Sequence, residues 1–271
     1  MELISRDKII ELTPKNPYDR FPDGRPRVPD EILERMRQVT TEEAWGVLRN
    51  HGYDFQFEGN WLNIHPERIL VGRAVTGRYV PKRPDLHEVI EAEGQAHGRI
   101  GGQNSWIIDT LVKDDVIVIE LFGKIARGTF TGDNLSTSIV ARTGGTGMVV
   151  DGGMRDYQRV MELPTFNAFI RGLDPTGIGE VTLVEINGPI RIGNATVLPG
   201  DIVLGTPTGV IFIPPELAME VVERSEEIRR RDYWGKMMLS QGKYTPGEID
   251  RKWSDEIEAD YQEWSESYSG E

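Results

Sequence analysis

The chain has 271 residues, enough for one large domain or two small ones, with ample apolar material for a core. Its formal net charge of −13 argues against nonspecific binding to nucleic acid or to an anionic membrane, because phosphate recognition needs clustered Lys and Arg. The absence of cysteine excludes disulfides, thiolate nucleophiles and cysteine-ligated zinc together.

The first residues, MELISRDKII, are charged and lack the apolar run of a signal peptide. No later window approaches the roughly 18 apolar residues of a spanning helix. A cytoplasmic protein without membrane contact is the expectation. Residues 1–28, rich in Pro, Asp and Arg, read as an extended N-terminal arm. From Pro29 the pattern turns helical, with Ile32, Leu33, Met36 and Val39 spaced along one face. A second helix should start at Thr40 or Thr41, where TTEE combines a hydroxyl cap with first-turn carboxylates, and end near Gly52.

Between Leu70 and Pro214 the sequence becomes short β-branched runs punctuated by glycine: ILVGRAVTGRYV, VIVIELF, GMVVDGG, FNAFIRG, VTLVEIN, ATVLPGDIVLG and GVIFIP. Helical stretches are expected at Leu86–Ala96, Ile107–Leu111, Asn134–Arg142 and Asp156–Leu163. Strands alternating with helices predict an α/β layer, and the later strands without helices predict an antiparallel or barrel-like part. After Pro215 the pattern is helical again, broken once by Thr245–Glu248. The organisation is therefore an arm (1–28), an α/β core with leading helices (29–215), and a helical C-terminal extension (216–271) expected in subunit contacts. The six tryptophans and eight tyrosines lie mainly in the terminal regions, pointing to packing or subunit contacts rather than base stacking.

Several chemistries can be set aside. His51, His65, His87 and His97 are not spaced as a metal pair, and each reads as a surface or capping residue. There is no G-x-S-x-G elbow and no Walker-type loop. The glycine-rich Thr143–Gly147 precedes a strand, the wrong order for a dinucleotide fingerprint, and reads as a turn out of a helix. Two acidic spots remain: Gly132-Asp133-Asn134-Leu135, and Arg155-Asp156 after Gly152-Gly153. Both follow apolar strands and stand where a strand hands over to a helix, the end of an α/β sheet where ligands collect. Free helix N–H groups there attract an anion. A guanidinium can grip a carboxylate through two parallel hydrogen bonds. A single carboxylate such as Asp156 can hold a largely hydrated magnesium ion. These parts could bind a 2-oxo acid, and Gly152-Gly153 would leave the ligand room. Spacing alone leaves a second reading open, in which Arg155-Asp156 only caps a helix.

The run GDNLSTSIVARTGGTGMVVDGGMRD resembles the central motif of the RraA-like proteins, which include the class II 4-hydroxy-4-methyl-2-oxoglutarate / 4-carboxy-4-hydroxy-2-oxoadipate aldolases. VPDEILERMRQVTTEEAWGVLRNHG is similar to the family's opening helices, and the stretch from Phe166 to Pro214 to its second half, so the likeness runs over roughly residues 30–242. It implies a β/β/α sandwich of the swivelling, phosphohistidine-domain-like kind, assembled as a homotrimer or a dimer of trimers with sites at subunit interfaces. It further implies that Arg155 binds the substrate carboxylate and that Asp156 holds a divalent metal, Mg²⁺ or Mn²⁺. The Gly132, Asp133, Asn134 and Leu135 backbone would cradle the substrate, and Asp133 would take a catalytic role. A carboxylate from a neighbouring subunit's C-terminal helix completes the family's site, and Glu223 is the candidate here. Three departures stand out. Twenty-one residues rather than twenty separate Asp133 from Arg155. Arg159 and Met161 occupy a region where an acid is common. Gly205-Thr206-Pro207-Thr208-Gly209 replaces A-D-x-D-G.

The function expected from this is a metal-dependent lyase on a small 2-oxo acid, most simply retro-aldol cleavage releasing pyruvate, with oxaloacetate decarboxylation following from the same enolate chemistry. The alternatives are a hydro-lyase acting on a sugar-acid-like substrate, for which the changed Thr206–Thr208 region leaves room, and a non-enzymatic ribonuclease-regulating binding protein.

Overall fold

A computed structural model of the chain describes residues 5–268. Ten helices and eleven strands occur among them. In chain order they are α1 (Arg6–Leu12), α2 (Asp30–Met36), α3 (Thr41–Asn50), β1 (Phe57–Glu58), β2 (Leu62–Asn63), β3 (Leu70–Pro81), α4 (Pro84–Ala96) and α5 (Gln103–Ile108). Then come β4 (Asp115–Thr129), α6 (Asp133–Thr143), β5 (Gly147–Met154), α7 (Tyr157–Val160), β6 (Asn167–Leu173), β7 (Val181–Ile186), β8 (Ile190–Ile192) and β9 (Ala195–Val197). The last are β10 (Ile202–Thr206), β11 (Gly209–Ile213), α8 (Ala218–Ser240), α9 (Pro246–Ile249) and α10 (Asp255–Ser267). None of the described helices is long and apolar enough to cross a membrane.

Nine strands form one mixed sheet in the order β1-β11-β10-β3-β4-β5-β6-β2, with β7 added beside β3. The centre, β3-β4-β5-β6, is parallel, and the β10 and β11 pairings are antiparallel. Strand alternation sorts the core into layers. Val75, Ile117, Ile119, Met148, Val150, Ala168 and Ile170 face the helices α4 to α7. Val71, Ile202, Leu204, Ile211 and Ile213 of the same face pack under α2, α3 and the start of α8. The intervening residues, such as Ala74, Val116, Val118, Val149 and Phe169, meet Ile190, Ile192, Ala195 and Val197 of the β8–β9 hairpin. Hairpin, sheet and helices thus make a β/β/α arrangement, as expected. Burying an apolar side chain in such layers contributes on the order of 1.5–3 kcal/mol.

The leading helices follow from local sequence. Thr40 accepts from the Glu43 N–H at 3.2 Å while Glu43 accepts from the Thr40 N–H at 2.8 Å, a reciprocal cap that starts α3. The left-handed Gly144 (φ +77°) ends α6, as the TGGTG turn predicted. The segment expected as an extended arm differs. It carries α1, buries Ile9, and folds back through an Arg20–Pro26 bridge. The reason lies in its arginines, which find partners instead of water. Arg20 donates to the Thr13 and Gly24 carbonyls, and the buried Arg25 reaches Asp115 at 2.8 and 3.1 Å. The histidines also differ from expectation in part. His51 and His97 cap helices, but His65 is buried, with Nδ1 on Glu67 at 2.8 Å and Nε2 unpartnered among the described residues.

The described chain forms two compact units, divided between Val222 and Glu223. The second is held by its own aromatic core of Trp234, Tyr244, Trp253, Tyr261 and Trp264. The Arg231 guanidinium lies 3.9 Å from the Trp253 ring centre and bonds Glu258 at 3.0 Å.

Candidate active site

Parallel strands β4 and β5 end beside each other, and each hands over to a helix on the same side of the sheet. After β4 the chain runs through Phe130 and Thr131 to Gly132, the N-cap of α6. After β5 it reaches Arg155 and Asp156, the N-cap of α7. Backbone bonds tie the two exits together: the Phe130 N–H donates to the Gly153 carbonyl at 2.9 Å, and the Arg155 N–H to the Thr131 carbonyl at 3.1 Å. Asp156 takes a left-handed conformation (φ +56°, ψ +32°) that aspartate tolerates better than most residues. This turn swings the Arg-Asp pair over the start of α6.

Gly132 is where the two exits touch. A Cβ on it would lie 2.2 Å from Asp156 Oδ2 and 2.9 Å from Arg155 Cζ, so only glycine allows this approach. Gly152 and Gly153 serve a different purpose from the one expected. Side chains there would strike Leu121 and the Lys124 carbonyl, or the Ile125 backbone, so these glycines admit the bulged end of β4, not a ligand.

Arg155 Nη1 donates to Asp156 Oδ2 at 2.6 Å, with both side chains partly open to solvent. Asp156 Oδ1 makes no hydrogen bond among the described residues. Arg155, Asp156 and Tyr157 line a shallow recess of about 220 Å³, whose far wall is Leu173, Asp174 and Pro175. Asp174 was not anticipated. Its signal was the LDPTG turn, in which its carboxylate accepts from the Thr176 N–H and hydroxyl.

Asp133 is the first residue of α6. Burial pushes its carboxyl upward, but the Asn134 N–H at 2.9 Å and Arg159 at 3.3 Å outweigh it and hold the group below the ordinary aspartate value. Arg159, noted in the sequence only as a departure, is therefore a partner of the candidate site. Asn134 is exposed, and Leu135 is half-buried against the core. At this helix start the Asn134 N–H is taken by the Asp133 carboxylate, while the Asp133 and Leu135 N–H groups have no backbone acceptor within the helix. Glu223 is exposed on α8 and is the first residue of the second unit. Asp151 is structural: it accepts from Arg171 Nε at 2.8 Å.

The residues present fit a divalent cation of the hydrated kind. Asp156 offers a free oxygen beside a glycine cradle, and magnesium commonly takes only one or two protein carboxylates. Among the described residues no group of three or more His, Asp or Glu side chains encloses an ion, so the donor set is not that of a full protein cage.

The family model RraA-like (Aldolase/RraA) matches residues 36–212. Protein DlpA of Legionella pneumophila is 30% identical over 215 residues, which is 78% of this chain but 32% of that protein. A Halalkalibacterium halodurans protein, named provisionally as a 4-hydroxy-4-methyl-2-oxoglutarate aldolase, is 31% identical over 44% of this chain and 55% of its own length. The chain therefore spans about a third to just over half of these curated relatives. The crystal structure of Streptomyces coelicolor RraAS2, described as an unusual member of the RNase ES inhibitor RraA protein family, superposes with a TM-score of 0.64 at 22% identity, covering 82% of this chain and all of that one. A match over most of the chain, on a fold that agrees, makes this protein a member of the RraA-like family.

Proposed function

We propose that the protein is a divalent-metal-dependent lyase acting on a small anionic 2-oxo acid, most simply by retro-aldol cleavage that releases pyruvate. The observation that carries this reading is the seating of Arg155-Asp156 on Gly132 at the start of α6. A guanidinium, a carboxylate with a free oxygen and the start of α6 converge there on one corner.

In this reading Arg155 binds the substrate carboxylate, and the Gly132–Leu135 backbone orients it. Asp156 holds Mg²⁺ or Mn²⁺, which when bound supplies Lewis-acid stabilisation of the enolate formed as the bond breaks. Asp133, kept ionised by Asn134 N–H and Arg159, accepts a hydrogen bond from water or from the substrate hydroxyl rather than storing a proton. The assembly proposed is a homotrimer or a dimer of trimers, with Glu223 of a neighbouring subunit completing the site. The relative named as an aldolase supports the reaction class.

The hydro-lyase alternative loses its motif. The Thr206 and Thr208 hydroxyls bond each other at 2.8 Å and Thr41 at 2.6 and 3.0 Å, so that turn spends its polar groups on itself. The ribonuclease-regulator alternative has behind it the family model, which joins aldolases with RraA, and likeness of fold, but no feature of the corner. The test is turnover of a panel of 2-oxo acids, oxaloacetate included, by purified protein with Mg²⁺ or Mn²⁺. Pyruvate release is expected, with Asp156→Ala losing it and the tight binding of Mn²⁺. Dehydration without pyruvate, or no turnover together with unchanged Mn²⁺ binding in Asp156→Ala, overturns the proposal.

A further inference from the structure

A second recess, of about 370 Å³, opens in the first unit with no residue in common with the corner just described. One wall is the segment Leu12–Asn16 that follows α1. The others are Tyr53 and Gln56 after α3, the Leu198–Asp201 turn before β10, and Pro214–Glu216 after β11. Leu12, Pro14, Leu198, Pro214 and Pro215 make the lining largely apolar.

Two carboxyl groups face this apolar space. Asp201 is 3% exposed; its Oδ2 accepts from the Leu198 N–H at 2.8 Å, and its Oδ1 has no hydrogen bond among the described residues. Glu216 Oε1 accepts from the Tyr53 hydroxyl at 2.8 Å. Lys15, which is 74% exposed, stands 3.7 Å from Glu216, too far for a good hydrogen bond. Among the described residues no cation is paired with Asp201.

We infer that this recess is a binding site for a small organic cation, an ammonium or guanidinium carried on a short apolar body, with Glu216 as its anionic partner and Asp201 as a second acceptor that gives up its proton to solvent as the cation binds. The chemistry narrows to that class by elimination. An anion would face two carboxyl groups. A wholly apolar guest would leave the free oxygen of Asp201 buried and unsatisfied, which is costly. A cationic N–H donor meets that oxygen, and its apolar body covers Leu12 and the prolines. The volume lies in the range usual for sites of small ligands, about 300–1,000 Å³. Burial pushes the Asp201 carboxyl up to about 8, opposed by the Leu198 N–H and reinforced by Glu216, as befits a carboxyl group that lacks its counter-ion.

The experiment is calorimetric titration of the full chain at pH 7 with benzylamine, benzyl alcohol and benzoate. Benzylamine should bind with a single site, benzyl alcohol at least tenfold more weakly, and benzoate not measurably. Asp201→Asn and Glu216→Gln should each weaken benzylamine by about tenfold or more. Because Glu216 lies at the mouth and leaves the buried turn intact, its variant serves if Asp201→Asn does not fold. Equal affinity for benzylamine and benzyl alcohol, no benzylamine binding, or benzylamine affinity unchanged in the folded variants overturns the inference.

Discussion

Asp133 and Asp201 are the same residue in opposite surroundings. Asp133 opens a helix, receives an N–H and an arginine, and sits below its ordinary pKa despite the upward push of burial. Asp201 ends a turn inside the protein, receives one N–H and no cation, and is pushed up to about 8. The lesson is that burial without a counter-charge sets one state, and hydrogen-bond donors set the other. A carboxylate meant to stay charged is placed at a helix start beside a guanidinium group, as Asp133 is beside Arg159. One left in an apolar recess keeps its proton up to about pH 8, as Asp201 does.

The largest test of the charged corner is Gly132→Ala. The added methyl must displace the Arg155-Asp156 pair, and a shift of about 1 Å in a reacting group costs on the order of 100-fold in rate. Stability should change little, because the atoms the methyl meets are the ends of two partly exposed side chains that can move aside. Steady-state kinetics and thermal melts check both; a variant with full activity would mean that the pair need not rest on the helix start.

Asp201→Asn probes the other half. Because the folded pKa of about 8 exceeds the unfolded 3.8, the native state holds a proton that the unfolded chain has lost. The contribution of Asp201 to stability is therefore complete below pH 4 and declines as pH rises toward 8. Glu216, Tyr53 and Lys15 face the same recess and are unchanged by the substitution. Melting curves from pH 4 to 9 should show the asparagine variant gaining on the natural protein across that window. Parallel curves would refute the assignment.

Thr40→Ala removes one arm of the α3 cap and should cost about 1 kcal/mol, read as a lower melting temperature with activity intact. The smallest effect is expected from Arg159→Ala. Losing this exposed partner lets the Asp133 carboxyl rise toward its ordinary value, so the acid limb of the pH–rate profile should move to higher pH while the rate at neutral pH hardly changes.

Much of the fold was legible in the sequence because it rests on short-range rules. The cap at Thr40, the periodic face Ile32–Leu33–Met36, and the β-branched runs of β3, β4 and β5 all obey spacings of four residues or fewer. The candidate site was legible in its parts, Gly132–Leu135 and Arg155-Asp156, through their position after apolar strands and the family likeness. Its contact was not. That Gly132 must be glycine because Asp156 rests on it depends on a left-handed turn and on two parallel strands lying side by side. The purpose of Gly152 and Gly153 is not legible for the same reason, since the β4 bulge that they admit leaves no local trace. The arm failed as an extended segment because Arg25 finds Asp115, ninety residues away.

By itself the sequence determined the main strands and helices of the core, the cap that opens α3, the glycine turn that ends α6, and the residue types on offer at the ends of β4 and β5, all set by backbone preferences and apolar periodicity over a few residues. Tertiary structure alone decided which charges meet and which are sealed from water. In LPGDIVL nothing distinguishes Asp201 from an ordinary turn residue; the arm, Tyr53 and the exit from β11 remove its solvent. Ionisation depends on that loss of water and on the charges brought near, and both are properties of the packed molecule, not of the neighbouring residues in the chain.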